Sequence, residues 1–305
     1  MKKVIGLALL SILVLSACQS DKTNQEETNG LHIYTSIYPI QYMVEEIAEE
    51  NTSVESVYPP GVDAHTYEPS SKEITEIAKG DAFIYLGKGM ESFAETTADT
   101  LESQDTTLLE IGDNTSLFDK ESADDDLDPH IWLDPIRMID MGEMVKDTLI
   151  ELDPDQEAAI EENYKDFKKE METLDDLFTE TLEDKKQKDI LVSHAAYGYW
   201  EERYGIHQIA ISGLSSSDEP SQKELTEITS LAEEKNIHYV IFEASTSNKT
   251  AAIIQDSIGA DKLAIHNLEV LTEEDVEKDR DYPSIMKDNL KVLDQATSKG
   301  EDSDA

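Results

Sequence analysis

One ten-residue segment occurs twice in this chain, and the repeat constrains the fold more than any other feature. Glu68-Pro69-Ser70-Ser71-Lys72-Glu73-Ile74-Thr75-Glu76-Ile77 returns as Glu219-Pro220-Ser221-Gln222-Lys223-Glu224-Leu225-Thr226-Glu227-Ile228. Only Ser71/Gln222 and Ile74/Leu225 differ. Each copy places proline at a helix start, and each is followed by an apolar strand, Phe83 to Leu86 in one half and Tyr239 to Phe242 in the other. Duplication explains this better than two chance helix starts. It predicts two related lobes, with ligands bound where the lobes meet, beyond the carboxyl ends of the strands.

The rest of the pattern agrees. Strands are expected at Leu31–Ile37, Val54–Tyr58, Ala82–Leu86 and Thr107–Ile111, alternating with helices at Gln41–Glu50, Ser70–Lys79 and Glu91–Glu102. The alternation resumes with strands at Asp189–Val192, His207–Ile211, Tyr239–Glu243 and Leu263–Ile265. Helices at Ala195–Tyr204, Ser221–Glu234, Lys249–Ile258 and Tyr282–Ala296 lie between and after them. Such alternation implies parallel βαβ units. Between the halves, Ile160, Tyr164, Phe167, Met171, Leu174, Leu177 and Phe178 recur at helical spacing, with Pro154 placed as a first-turn proline. About thirty helical residues make a rod of roughly 45 Å, long for one lobe and suited to a spine. The expected class is α/β: two lobes, each a parallel sheet flanked by helices, joined by one long helix. The expected lobes are 31–152 and 185–299, with 153–184 as the spine and 300–305 as an acidic tail. A chain of 305 residues has room for two ordinary domains with separate cores.

The first thirty residues read as targeting sequence. Lys2 and Lys3 precede an uncharged apolar run from Val4 to Leu15, too short for a permanent membrane span. Leu15-Ser16-Ala17-Cys18 closes it as a lipobox, in which the thiol is diacylated and the leader, 1–18 with its lipobox, is cut just before it. Cys18 is the only cysteine, so no internal disulfide forms. Two acyl chains would hold the protein on the outer face of a cell membrane, with polar 19–30 as a tether.

Net charge is −43. The folded body therefore repels nucleic acid and anionic lipid. Acidity of this kind suits a cation but selects none, and a solvated acidic coat accounts for most of it.

Seven histidines are present. His32, His207 and His238 fall in or beside strands and are expected to pack or lie at edges. His65 follows the Pro59-Pro60-Gly61 turn, His130 precedes the helix starting near Pro135, and His194 follows the strand Ile190–Val192 and opens the next helix. All three stand at loop edges, in both halves, about 65 residues apart. Imidazole is a preferred zinc ligand, but this spacing matches no short-range metal motif.

The residues around them carry a more specific signal. Gly61-Val62-Asp63-Ala64-His65-Thr66-Tyr67-Glu68-Pro69-Ser70, Asp128-Pro129-His130-Ile131-Trp132-Leu133-Asp134-Pro135 and Ser193-His194-Ala195-Ala196-Tyr197-Gly198-Tyr199 resemble the solute-binding lipoproteins of zinc and manganese ABC importers, the cluster A-I metal receptors. Ile211-Ser212-Gly213-Leu214-Ser215, Asp281-Tyr282, Met286 and Asn289-Leu290 extend the resemblance over Leu31 to Leu293. The resemblance implies one metal ion buried between the lobes, with His65, His130 and His194 as ligands. It also implies a partner permease in the membrane and a monomer. A histidine at the third position goes with zinc receptors and a glutamate with manganese receptors, in line with the preference of zinc for imidazole and of manganese for oxygen. In the family this chain resembles, the fourth ligand is a carboxylate in the loop after the last strand, which implies Glu269 as the first choice, with His266 in the same loop as its rival. Two departures stand out. No histidine-rich loop precedes His130, since 119–128 is acidic, and Val270 occupies a position where relatives often have glycine.

The reading that follows is zinc capture and delivery to an ABC importer, with no enzymatic activity. Manganese or iron(II) receptors of the same type and a surface adhesin are the alternatives. A zinc hydrolase fits less well, because the chain has no HExxH and no GxSxG.

Overall fold

The computed structural model describes residues 30–91, 93–118, 127–215, 218–244 and 248–298. The expected leader, Cys18, nearly all of the tether, residues 119–126 of the acidic loop and the tail 300–305 lie outside the described residues. No described helix is long and apolar enough to cross a membrane.

The amino-terminal lobe runs β1 (His32–Thr35), α1 (Tyr38–Ile47), β2 (Ser53–Ser56), α2 (Ser71–Ile77), β3 (Ala82–Tyr85), α3 (Ala94–Leu101) and β4 (Thr107–Glu110). Two helices follow, α4 (Pro135–Leu152) and α5 (Glu157–Leu182). The carboxyl-terminal lobe holds β5 (Asp189–His194), α6 (Gly198–Tyr204), β6 (His207–Ser212), α7 (Gln222–Glu234), β7 (Tyr239–Glu243), α8 (Lys249–Ile258), β8 (Asp261–Ile265), α9 (Glu273–Glu277) and α10 (Tyr282–Ser298). The sheets are ordered β2-β1-β3-β4 and β6-β5-β7-β8, all neighbours parallel. Both therefore use one arrangement, in which the third strand joins beside the first.

The repeated segment does the same work in each lobe. Ser70 caps α2 by accepting from Glu73 N, and Glu73 accepts from Ser70 N in return; Ser221 and Glu224 do the same for α7. Each box satisfies two amides that a helix start leaves without partners. The strands that follow, β3 and β7, are buried along their whole length, as parallel strands covered on both faces must be.

The spine is α5, 26 residues long. It packs along α1 and α4 of the first lobe and α10 of the second. Its buried stripe is Ile160, Phe167, Met171, Leu174, Phe178 and Leu182, while Leu177 faces solvent. Tyr42 donates to Glu170 from one lobe and Tyr204 to Asp175 from the other. At Gly142 of α4 a Cβ would come 2.7 Å from the Phe167 ring, so the absence of a side chain there lets the two helices approach.

Several expectations need correction. Pro154 opens a separate 3₁₀ turn, Pro154–Gln156, because the chain breaks at Asp153 before α5 begins. His194 does not open a helix. It is the last residue of β5, paired with Ser212, and α6 begins only at Gly198. The short helix α9 was not foreseen. The core is not divided between lobes either: one continuous apolar cluster runs from Ile33 to Leu293 through α5. A small second cluster around Leu191, Ile209, Val240 and Phe242 lies in the carboxyl-terminal lobe alone.

Candidate metal centre

Four different local structures deliver four side chains to one point. His65 rides on the loop after β2, turned by Gly61 at φ +77. Asp63 Oδ1 accepts from His65 N at 3.0 Å, and Tyr58 OH donates to Ala64 O at 3.0 Å. His130, fully buried, precedes the 3₁₀ turn Ile131–Leu133. His194 ends β5, and Glu269 lies in the loop beyond β8.

Their ligand atoms all fall within 4.8 Å of one another. Glu269 Oε1 is 3.4 Å from His65 Nε2 and 3.4 Å from His130 Nε2, and His194 Nε2 is 3.2 Å from His130 Nε2. A tetrahedron with zinc–ligand bonds of about 2.0–2.1 Å has edges of about 3.3 Å. The three distances above match it.

Carboxylates behind two of the rings set which nitrogen faces inward. His130 Nδ1 donates to Asp128 Oδ1 at 2.7 Å, and His194 Nδ1 contacts the carboxylate of Glu243, the last residue of β7. With Nδ1 engaged, each neutral ring turns its Nε2 lone pair inward. Two lone pairs 3.2 Å apart repel unless a cation or a proton lies between them. His65 Nε2 and Glu269 Oε1 are likewise buried without a hydrogen-bond partner. The donor set and its unpartnered atoms fit a divalent ion.

The metal-free electrostatics agree. Burial alone would push His130 down, but Asp128 and Glu269 outweigh it and lift the ring to about 9. His65 is lifted likewise, its burial outweighed by Glu269. Burial would raise Glu269, yet the two imidazoles hold it well below the usual carboxylate range. Protons hold the site together when metal does not.

The rival ligand is otherwise engaged. His266 Nδ1 accepts from Leu268 N at 2.8 Å, and its Nε2 donates to Asp275 at 3.1 Å, outside the cluster. His32 pairs with Glu55 and His238 with Asn236. Among the described residues the cluster is the one group of three or more His, Cys, Asp or Glu able to share an ion. Glu243 was missed in the sequence, as was the part played by Asp128, although Asp128 sits two residues before His130. A carboxylate closing an apolar strand was the available signal for Glu243.

The His130 motif also ties the lobes together. Trp132 Nε1 donates to Asn267 O, Trp200 Nε1 to Leu133 O and Tyr282 OH to Trp132 O. Buried Asp134 caps α4 and pairs with Arg137 and Arg203, each at 2.5 Å.

Two parallel-sheet lobes on a helical spine, with three imidazoles and a carboxylate between them, define the class: a two-lobed α/β protein with a candidate single-ion site. The chain belongs to the family described as zinc-uptake complex component A, periplasmic, whose family model matches residues 33–296. It is 34% identical to the zinc-binding lipoprotein AdcA of Streptococcus pneumoniae over 98% of this chain, and it spans 62% of that relative's length. The solved Zn(II)-bound ZnuA-like domain of that protein aligns with TM-score 0.76 and 33% identity, covering 88% of this chain and 99% of the domain. The high-affinity zinc uptake system protein ZnuA of Bacillus subtilis is 28% identical over 96% of this chain and 97% of its own. The laminin-binding protein Lmb of Streptococcus agalactiae, described as a bifunctional adhesin and metal transporter, aligns with TM-score 0.78 and 27% identity over 88% of this chain and 100% of its own.

Proposed function

We propose that this protein captures one zinc ion outside the cytoplasm and delivers it to an ABC import permease. His65, His130, His194 and Glu269 are the ligands in this reading. The observation that carries it is the convergence of their four ligand atoms within 4.8 Å of one another, three of the distances being at tetrahedral edge length. Membership of a zinc-uptake family supports it. Three neutral imidazoles and one carboxylate leave a bound divalent ion at net +1, and imidazole-rich sets favour zinc over manganese. Four protein ligands also leave no open position for a reactive water, which argues for a carrier rather than a hydrolase. The leader ending at Cys18 would anchor the protein as a monomer on the extracytoplasmic face, with lobes 31–152 and 185–299 joined by 153–184. Zinc, manganese and iron(II) competition on metal-stripped protein tests the reading. Zinc is expected to displace both others; preference for manganese would overturn it. A second role as adhesin has one support, the likeness to Lmb, and a laminin-binding assay with and without zinc tests it.

A further inference from the structure

Glu269 lies in the loop between β8 and α9, and that loop is held from both lobes. On the amino-terminal side Tyr38 N donates to Glu269 O at 2.9 Å, Gly61 N to Leu271 O at 2.9 Å and Trp132 Nε1 to Asn267 O at 2.8 Å. On the carboxyl-terminal side the loop's side-chain hydrogen bonds centre on His266 and Asp275. Asn289 Oδ1 accepts from His266 N at 2.9 Å, and its Nδ2 donates to His266 O at 2.7 Å. The His266 ring then takes the amide of Leu268 on Nδ1. Leu268 stands at φ +66, a left-handed backbone that a branched side chain seldom adopts. Because Leu268 N–H donates to it, Nδ1 carries no proton. The ring is therefore the Nε2–H tautomer, and that N–H donates to Asp275. Asp275, also buried, accepts from Thr272 N and Thr272 Oγ1 and pairs with Arg280, closing the loop at its far end.

We infer that His266 is the positioning residue for Glu269, one imidazole bracing the left-handed turn at Leu268 and, through Asp275, the loop's end at Thr272. The inference rests on Glu269 being a zinc ligand. His266 touches no metal in this reading and acts only through the placement of a carboxylate three residues on. Neither aromaticity nor burial alone would serve, because the job needs an acceptor on one ring edge and a donor on the other.

The test is a double-mutant cycle on metal-stripped full-length protein: Glu269→Gln, His266→Phe and the pair. Zinc affinity is read by chelator competition, and the d–d absorption of the cobalt(II) form reports the ligand field. Glu269→Gln is expected to lower affinity by orders of magnitude. His266→Phe should lower it about 10- to 100-fold, as loss of an outer partner does, and shift the cobalt spectrum toward that of Glu269→Gln. In the Glu269→Gln background the same change should add less than about twofold. Equal losses in both backgrounds would mark a general structural effect and overturn the inference, as would wild-type affinity in His266→Phe. If Glu269→Gln itself binds zinc like wild type, the ligand assignment fails first and the inference with it. Should His266→Phe not fold, Asp275→Asn, which leaves residues 266–272 intact, carries the same cycle with the same outcomes.

Discussion

The two lobes share a sheet order and a capped helix, yet they hold the converging side chains differently. In the carboxyl-terminal lobe His194 is part of a strand, in register with Ser212, and Glu243 of the neighbouring strand braces its ring. The amino-terminal lobe places both of its histidines beyond its sheet. His130 there is fully buried and braced by Asp128, whereas His65 sits on a loop and keeps partial exposure. Duplicated scaffolds thus need not give duplicated sites. Both buried rings have a carboxylate behind them, so the difference lies in what carries each ring: a strand end in one lobe, loops in the other.

The sharpest way to break this comparison is to remove the proposed ligands one at a time. His130→Ala and His194→Ala are expected to lose orders of magnitude in zinc affinity while staying folded. His65→Ala should lose less, because water can take a ligand position at the partly exposed edge. Competition titration of the three checks this, and equal losses would erase the distinction between loop and buried ligands.

The bracing carboxylates come next. Asp128→Asn and Glu243→Gln should each cost about 10- to 100-fold in affinity, measured the same way. A loss confined to one of them would mean that the lobes orient their rings by different means.

Acidity gives a third, smaller effect. The folded metal-free protein holds His130 at about 9, above the ordinary imidazole value of about 6.5. A raised value stabilises the metal-free fold fully below about 6.5 and loses that contribution as pH rises through about 9. Zinc must displace this proton, so apparent affinity should fall by up to about tenfold per unit as pH drops below that value. Titration calorimetry in buffers of different ionisation heat should find at least one proton released per zinc at neutral pH, and fewer in Asp128→Asn.

The smallest effect tests the likeness of the lobes. Ser70→Ala and Ser221→Ala should each cost about 1 kcal/mol of stability and leave zinc affinity unchanged. Denaturant unfolding checks it, and very unequal costs would show that the repeated segment is not used equivalently.

Much of this was legible in the residues. The capping boxes follow from Ser70/Glu73 and Ser221/Glu224, because a helix start needs its amides satisfied whatever surrounds it. Lys249–Ile258 and Tyr239–Glu243 match expectation residue for residue. Less was legible where long-range pairing decides: β5 runs on to His194 because Ser212 of β6 pairs with it, and no local pattern marks that. The choice between Glu269 and His266 was open for the same reason. Both lie in one loop, and only Leu268 and Asp275, folded against the His266 ring, occupy its nitrogens.

By itself the sequence determined the local things: alternating strands and helices, two capped repeats, an apolar stripe for the spine, and which histidines stood at loop edges. Periodicity and capping act over a few residues, so they survive without a partner. Only the tertiary structure decided that one core would run through both lobes, that Glu243 would stand behind His194, and that Glu269 rather than His266 would face the three imidazoles. Those outcomes depend on groups tens to hundreds of residues apart meeting within hydrogen-bond distance, which packing alone arranges.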